Sequence, residues 1–273
     1  MDHLPPAFPV WLAGLLAAWL VLGVAVYAAL ISRVSREGGR VSAAEFGPLD
    51  FGVSSVLMLW FAMAISGGIN APERTLKIAD LVHGGAFLVL MLLFVFGFLS
   101  FHGIHPIRQF GLNRLNPFLC LLLALGLLIS AYPFMMLAAR AAELILHGKA
   151  QAQNVVEFFR NALAGSDRRA IYLTIFIGVI IAPAAEEAVF RGFLYGVLKR
   201  YLGPLAAAVV SAAFFTAMHL NAGSLLPLFV LALCFTLAYE ATGSLLVNIF
   251  MHALFNLSTF LFMLAISHRL VTT

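Results

Sequence analysis

Long stretches almost without charge constrain this chain more than any other feature of its sequence. A helix that crosses a bilayer needs about 20 mostly apolar residues. Eight segments approach or reach this requirement, near residues 8–32, 51–68, 81–101, 117–139, 170–198, 204–220, 224–241 and 243–267. The chain is 63% hydrophobic and only 10% charged, whereas a soluble domain carries about 25% charged residues. The sequence therefore predicts an all-α, polytopic membrane protein of about eight transmembrane helices.

The predicted organisation is a single transmembrane domain over residues 1–273 with three parts. Residues 1–140 hold the N-terminal helices, 140–169 form an amphipathic connection lying on the membrane surface, and 170–267 hold the helices with polar residues. The first apolar segment has no basic residue before it and no cleavage signature after it, so we expect a retained helix and not a signal peptide. The arginines that follow it favour an N-terminus outside the cell.

The positions of the cysteines and basic residues argue against a disulfide-stabilised protein and against a nucleic-acid-binding protein. Cys120 and Cys234 lie in separate apolar segments, and the sequence has neither a CxxC pair nor a disulfide framework. Most basic residues lie in short loops beside apolar segments, where they orient the chain in the bilayer. We therefore expect a lipid bilayer around the protein and no nucleic-acid partner.

Ionisable residues are concentrated in the last four apolar segments. A charged side chain at the bilayer centre costs at least about 2.5–3.5 kcal/mol, so each one is a functional candidate. The polar and ionisable residues of these segments are Glu186, Glu187, Arg191, His219, Glu240 (at a segment end), Asn248, His252 and Asn256.

The first group contains two carboxylates with different expected partners. Adjacent helical residues point about 100° apart, whereas Glu187 and Arg191 are four apart and face each other in the favourable acid-first order. Glu186 is left without a local counter-ion, which suits it to general-base catalysis. The alternative is that all three residues form one structural charge network.

A helical hairpin is expected to bring a histidine to the depth of Glu186. Gly203 and Pro204 signal a turn, and Glu186 precedes this turn by about as many residues as His219 follows it. At 1.5 Å per residue both lie about 25 Å from the turn. A carboxylate and an imidazole are thus expected to face each other across antiparallel helices.

The last segment carries a polar stripe with a spacing of four residues. Ser244, Asn248, His252 and Asn256 fall on one helical face. Such side chains often join helices through hydrogen bonds, and this is the interpretation we favour for Ser244 and Asn248. His252 is expected to reach a depth similar to that of Glu186 and His219.

These motifs together resemble those of the CPBP (ABI) intramembrane proteases, which include the type II CAAX prenyl endopeptidases. The matching motifs are Glu186-Glu187-x-x-x-Arg191, Phe215-x-x-x-His219 and His252-x-x-x-Asn256, and they cover about the last hundred residues. The resemblance implies a peptidase with an intramembrane active-site cavity, belonging to a bacterial or archaeal cell membrane. It also implies a protein or peptide substrate, with C-terminal CAAX-type processing of prenylated substrates as one form of the activity.

The resemblance also implies a role for each motif residue. Glu186 and His219 would activate a water for attack on the scissile carbonyl, and His252 and Asn256 would stabilise the oxyanion. Supporting residues would be Glu187 and Arg191, which hold the geometry, and Phe215, which packs beside His219.

Three alternatives stay open on the sequence alone. Glu186, His219 and His252 form a set that can bind a catalytic zinc ion, although we favour a mechanism without a cofactor because the sequence has no His-Glu-x-x-His motif. A transporter would also place ionisable residues in the membrane, but it usually shows internal repeats. A non-catalytic partner-binding protein, such as a bacteriocin immunity factor, need not keep all four catalytic candidates.

Overall fold

The computed structural model describes residues 10–71, 75–149 and 153–272, with side chains over 11–71, 75–149 and 153–266. Every regular element in these ranges is helical, which confirms the all-α prediction. Residues 1–9, which include the start of the first predicted segment, and 150–152, inside the predicted connection, lie outside the described residues. The helices are α1 Val10–Glu37, α2 Pro48–Ile69, α3 Ile78–Phe101, α4 Pro106–Gln109, α5 Pro117–Ile145, α6 Asn154–Ala164, α7 Arg168–Leu202, α8 Pro204–Ala217, α9 Ala222–Thr242 and α10 Leu245–Thr272.

Of the described helices, seven are long and apolar enough to cross a membrane, namely α1, α2, α3, α5, α7, α9 and α10. The chain is therefore an integral, multi-pass membrane protein. The predicted segment 204–220 is helical but shorter than expected, because α8 has only 14 residues. It ends in a tight turn where Leu220 adopts a φ of 49°. Asn221 then caps α9 by accepting a hydrogen bond from the Ser224 N–H at 2.9 Å.

Prolines and glycines mark the helix ends. A proline stands in the first turn of α2, α4, α5 and α8, where its missing N–H needs no partner. Gly203 and Gly243 follow α7 and α9 with φ values of 81° and 66°, a region that glycine enters without steric cost. Beside Gly243, the Leu245 N–H donates to the Phe110 carbonyl at 2.9 Å. A side chain at Gly111 would overlap the Gly243 carbonyl, so this close approach requires glycine.

The helices pack around two groups of buried apolar side chains. One group joins α5 to α1, α9 and α10 and includes Leu128 and Phe235. The other surrounds the second half of α7, where α2, α3 and α8 contribute, and includes Phe193 and Phe215. The second group encloses the polar residues that the motifs identify.

The connection between α5 and α7 packs against the last helix. Its ordered centre is α6, where Phe159 is fully buried and its ring lies 4.7 Å from that of Phe260 on α10. One face of α6 is thus buried and the other exposed, as an amphipathic segment requires. Its placement on the membrane surface stays a prediction, as does the single-domain organisation.

Candidate active site

The two glutamates of α7 lie between two π-helical interruptions that the sequence did not reveal. The segments Ile177–Ile181 and Ala188–Leu194 are π-helical, and Glu186 and Glu187 lie in the α-helical turn between them. A π turn takes one more residue than an α turn, and such bulges are frequent at functional sites. The interruptions therefore set the direction in which each carboxylate leaves the helix.

Side chains of two neighbouring helices donate hydrogen bonds to backbone carbonyls of both π segments. The Asn256 amide on α10 donates to the Gly178 carbonyl at 2.7 Å. The Ser211 hydroxyl on α8 donates to the Phe190 carbonyl at 2.7 Å. These bonds join α7 to α10 and α8 on either side of the two glutamates.

Glu187 and Arg191 form a fully buried ion pair, as their four-residue spacing predicts. Arg191 Nη1 lies 3.0 Å from Glu187 Oε1, and both side chains are 0% exposed. The guanidinium also lies over the Phe215 ring, 4.2 Å from its centre. A buried ion pair is stable only when further contacts compensate for lost hydration. Asn248 supplies one such contact by donating to Glu187 Oε2 at 3.5 Å.

His252 lies between the two carboxylates. Its Nδ1 is 3.0 Å from Glu187 Oε1, which makes it an N–H donor to that carboxylate. Its Nε2 is 3.7 Å from Glu186 Oε2. His252 is therefore the residue that connects the buried Glu187–Arg191 pair to Glu186.

Glu186 and His219 both line one cavity of about 350 Å³ between α3, α7 and α8. The Glu186 side chain is 21% exposed, so it can contact water while Glu187 cannot. His219 Nδ1 lies 2.8 Å from the Phe215 carbonyl. A carbonyl can only accept, so Nδ1 carries a proton and Nε2 of the neutral ring is left as an acceptor. The structure brings together the carboxylate and the imidazole that the hairpin geometry predicts.

Most of the cavity wall is apolar, and half of its described lining residues come from helices that the motifs do not include. α2 contributes one residue and α3 contributes seven. The described lining residues are Phe61, Asp80, Leu81, Gly84, Gly85, Phe87, Leu88, Met91, Ile177, Ala185, Glu186, Val189, Phe190, Phe215, Met218 and His219.

His252 and Asn256 are not among these described lining residues. Asn256 is one turn beyond His252 on α10, but its amide is bound to the Gly178 carbonyl. Both ring nitrogens of His252 face carboxylates. The structure thus places Glu186 and His219 at the cavity and His252 and Asn256 behind it. Phe215 contacts both histidines, with ring centres 5.0 Å from His219 and 5.8 Å from His252.

A zinc ion bound by Glu186, His219 and His252 would need all three side chains to converge on one point. Among the residues that the structure describes, no group of three or more His, Cys, Asp or Glu side chains is placed to hold a metal ion. Nδ1 of His219 is directed at a backbone carbonyl and Nδ1 of His252 at Glu187, so only the Nε2 atom of each ring could bind a metal.

Sequence reasoning missed two groups of polar residues. Asp80 lines the cavity from the first turn of α3, and no motif or spacing pointed to it. Glu240 was noted only as an acid at a segment end. In the structure it is buried and accepts hydrogen bonds from Lys199 Nζ and the Tyr195 hydroxyl.

Comparison with known protein families gives a match over one third of the chain. Residues 168–258, which are 91 of the 273 residues, match the family described as Rce1-like, type II CAAX prenyl endopeptidase Rce1-like. This range runs from α7 into α10 and contains all three motifs. No curated protein and no solved structure matches the chain. The family match confirms the resemblance that the motifs indicate.

Proposed function

We propose that this chain, whose residues 168–258 belong to the Rce1-like family of peptidases, hydrolyses peptide bonds within the membrane by means of a water activated by Glu186 and His219. One observation carries the proposal. A partly exposed carboxylate and an imidazole with a free acceptor nitrogen line the same largely apolar cavity. Water activation needs a positioned base, and an apolar wall suits a peptide that arrives from the lipid phase.

The two glutamates have different roles in this proposal because their surroundings differ. Glu186 reaches the cavity and takes the proton of the attacking water. Glu187 is buried, paired with Arg191 and hydrogen-bonded by His252, so it fixes the geometry. The water oxygen bonds to the scissile carbonyl carbon, and the proton held by Glu186 passes to the leaving amine as the C–N bond breaks. His219 Nε2 accepts a hydrogen bond from the water and orients it.

His252 and Asn256 are proposed as positioning residues in this arrangement. His252 holds the two carboxylates relative to one another, and Asn256 fastens α10 to the π segment of α7. The resemblance implies that both stabilise the oxyanion. For Asn256 that role requires its amide to leave the Gly178 carbonyl, because an amide hydrogen aimed at a carbonyl is not aimed at the substrate.

The substrate is proposed to be a peptide segment with apolar side chains, and prenylated C-terminal segments are one class of it. The cavity volume of about 350 Å³ falls at the small end of ligand pockets, which range over about 300–1,000 Å³. A cell membrane of a bacterium or archaeon is the proposed location, on the resemblance alone.

Peptide cleavage by the purified protein in detergent tests the proposal. A panel of apolar peptides, prenylated and unprenylated, is incubated with the protein, and products are identified by mass. We expect cleavage of at least one class, with no loss of rate when a chelator is added. Loss of activity with chelator and its recovery with one equivalent of zinc would establish the zinc-dependent mechanism instead. No cleavage of any peptide would contradict the proposed activity.

A further inference from the structure

The four helices around the cavity do not close it equally on all sides. Its described lining residues come from α2, α3, α7 and α8. α3 packs along α7, α7 forms a hairpin with α8, and α2 packs against α8 and the end of α7. In the described part of the chain, α2 and α3 pack less extensively against each other than against these neighbours. The cavity is therefore least firmly closed between α2 and α3.

Two aromatic rings meet across this gap. Trp60 of α2 and Phe87 of α3 have ring centres 5.4 Å apart. Phe87 lines the cavity and is nevertheless 36% exposed, while Trp60 is 41% exposed. The next residue of α2, Phe61, also lines the cavity and is only 3% exposed. The ring pair thus lies at the boundary between the cavity and the outer surface of the helices.

The outer surface beside the ring pair is apolar, as a surface in contact with lipid must be. It includes large apolar side chains that are more than half exposed, namely Val56, Leu59, Met63, Leu90 and Leu93. Trp60 lies about 18 Å from the start of α2 at Pro48, and Phe87 lies about 21 Å from the end of α3 at Phe101. Because a hydrocarbon core is about 30 Å thick, the rings meet at membrane depth.

α2 and α3 are held together at one end by a polar contact. Nε2 of His102, at the end of α3, lies 2.9 Å from Oδ1 of Asp50, in the first turn of α2. Asp50 is 2% exposed, so this contact is buried. The two rings can therefore separate while the helices stay joined at Asp50 and His102.

The ring pair lies close to the proposed catalytic residues. Phe61 stacks on Phe190 of α7, with ring centres 5.4 Å apart, and Phe190 follows Glu186 by about one turn. The Phe190 ring also contacts Phe215, which contacts His219. Aromatic contacts thus continue from α2 to the catalytic histidine. A substrate segment that passes between α2 and α3 arrives beside Glu186 and His219.

We propose that Trp60 and Phe87 form a lateral gate, through which an apolar substrate segment enters the cavity from the lipid between α2 and α3. This inference rests on the proposed function and adds the route by which the substrate reaches the site. A single aromatic contact is weak compared with the packing of a whole helix, so the gate opens without unfolding. It favours substrates whose apolar segment is dissolved in the bilayer over peptides that stay in water.

A reversible link between the two helices tests the gate. Trp60→Cys and Phe87→Cys are combined, and the protein in lipid nanodiscs is treated with a short bis-methanethiosulfonate reagent, whose disulfides dithiothreitol cleaves. We expect the linked protein to lose cleavage of a prenylated or other apolar peptide that the wild type cleaves, and to regain it on reduction. Capping the same cysteines with methyl methanethiosulfonate joins nothing and should leave the rate close to that of the reduced protein. The native Cys120 and Cys234 are buried.

A second pair of aromatic residues provides the matched control. Phe51 of α2 and Tyr201 of α7 have ring centres 4.6 Å apart, are both partly exposed, and are not among the described lining residues. The linked Phe51→Cys and Tyr201→Cys protein should cleave as fast as its reduced form. Full cleavage by the linked gate variant would overturn the inference and leave the peptidase activity intact. Loss of cleavage in both linked proteins would also overturn it, because any restraint on α2 would then explain the effect.

Tryptophan fluorescence tests the route without catalysis. The chain has three tryptophans, and Trp11→Phe with Trp19→Phe leaves only Trp60. In a Glu186→Gln background, a peptide brominated on its apolar segment should quench Trp60 emission saturably, and excess unlabelled peptide should restore it. A protein that keeps only Trp19, on α1, should show no saturable quenching. Absence of saturable quenching at Trp60 would overturn the gate. No cleavage of any peptide by the wild type would contradict the proposed function, and the inference would fall with it.

Discussion

At the scale of single residues, two adjacent glutamates have opposite environments. Glu187 is completely buried and contacts Arg191 and His252, whereas Glu186 is partly exposed in the cavity. A buried carboxylate that is paired with a guanidinium cannot leave its partner at low cost. This difference is the physical reason for assigning the base to Glu186 and the structural role to Glu187.

Removal of the buried cation should destabilise the protein strongly. Arg191→Gln leaves Glu187 buried without its ion-pair partner, and such a loss costs about 3–5 kcal/mol. Unfolding in mixed micelles, followed by circular dichroism, measures the change. Arg140→Gln is the matched control, because Arg140 pairs with Glu143 at an exposed position, and exposed pairs contribute little. Equal stability of the two variants would contradict the role assigned to Arg191.

Part of the site could be predicted from residue spacing, because helical periodicity fixes which side chains face each other. The spacing gave the Glu187–Arg191 pair, and the Gly203 turn gave the approach of Glu186 and His219. It could not give the hydrogen bond of Asn256 to Gly178, which depends on a π segment without a recognisable sequence signal. Asp80 was also out of reach, since only the packing of α3 against α7 makes it part of the cavity.

At the scale of elements, α3 and α7 form the two principal walls of the cavity. The face of α3 toward the cavity includes two adjacent glycines. A Cβ atom at Gly84 would meet no atom within 4 Å, whereas one at Gly85 would meet the Ile177 side chain of α7 at 3.0 Å. Gly84 therefore lies beside open cavity space and Gly85 at a helix contact.

Filling the cavity from α3 should reduce activity without unfolding the protein. Gly84→Leu places a side chain in the space proposed for the substrate, and we expect cleavage to fall by about tenfold, which corresponds to a loss of about 1.4 kcal/mol in substrate binding. Gly97→Leu is the control on the same helix, where an added Cβ also meets nothing within 4 Å but outside the described lining. Steady-state cleavage and thermal unfolding are measured for both. Unchanged cleavage by Gly84→Leu would show that the substrate binds elsewhere.

At the scale of the whole molecule, a second buried charge cluster joins the α1–α2 loop to α7 and α9. Glu240 accepts hydrogen bonds from Lys199 Nζ and the Tyr195 hydroxyl, and its backbone carbonyl accepts from the Arg40 N–H at 2.8 Å. Lys199 also donates to the Val41 carbonyl at 2.9 Å. The helices outside the family match are thus joined to the matched region by the cluster as well as by the cavity wall.

Loss of the Glu240 charge should free this loop. Glu240→Gln leaves Lys199 largely buried without an anion, at a cost of about 2–4 kcal/mol, which is reduced from that of a fully buried pair because Lys199 keeps some exposure. Faster tryptic cleavage after Arg40 and a lower unfolding midpoint are the expected results. Glu143→Gln should change neither. The combined Glu240→Gln and Lys199→Met variant should regain part of the stability; no recovery would count against the ion pair as the cause.

The membrane class and the approximate number of helices could be predicted from the long apolar stretches, because an α-helical membrane protein crosses the bilayer only with such stretches. The length of α8 could not be predicted in this way, because the apolar run 204–220 continues beyond the helix end into the turn at Leu220 and Asn221. The part of α2 and α3 in the cavity wall was equally hidden, because their residues carry no motif and only tertiary packing brings them to the cavity.

Cleavage by Glu186→Gln, compared with the wild type and with Glu157→Gln as an exposed control on α6, tests the central claim most directly. Glutamine keeps the shape of the side chain and removes the base, so the account predicts that kcat falls by about 10²–10⁴-fold, while the thermal unfolding midpoint and the activity of Glu157→Gln stay at wild-type values. Cleavage by Glu186→Gln at the wild-type rate would contradict the account.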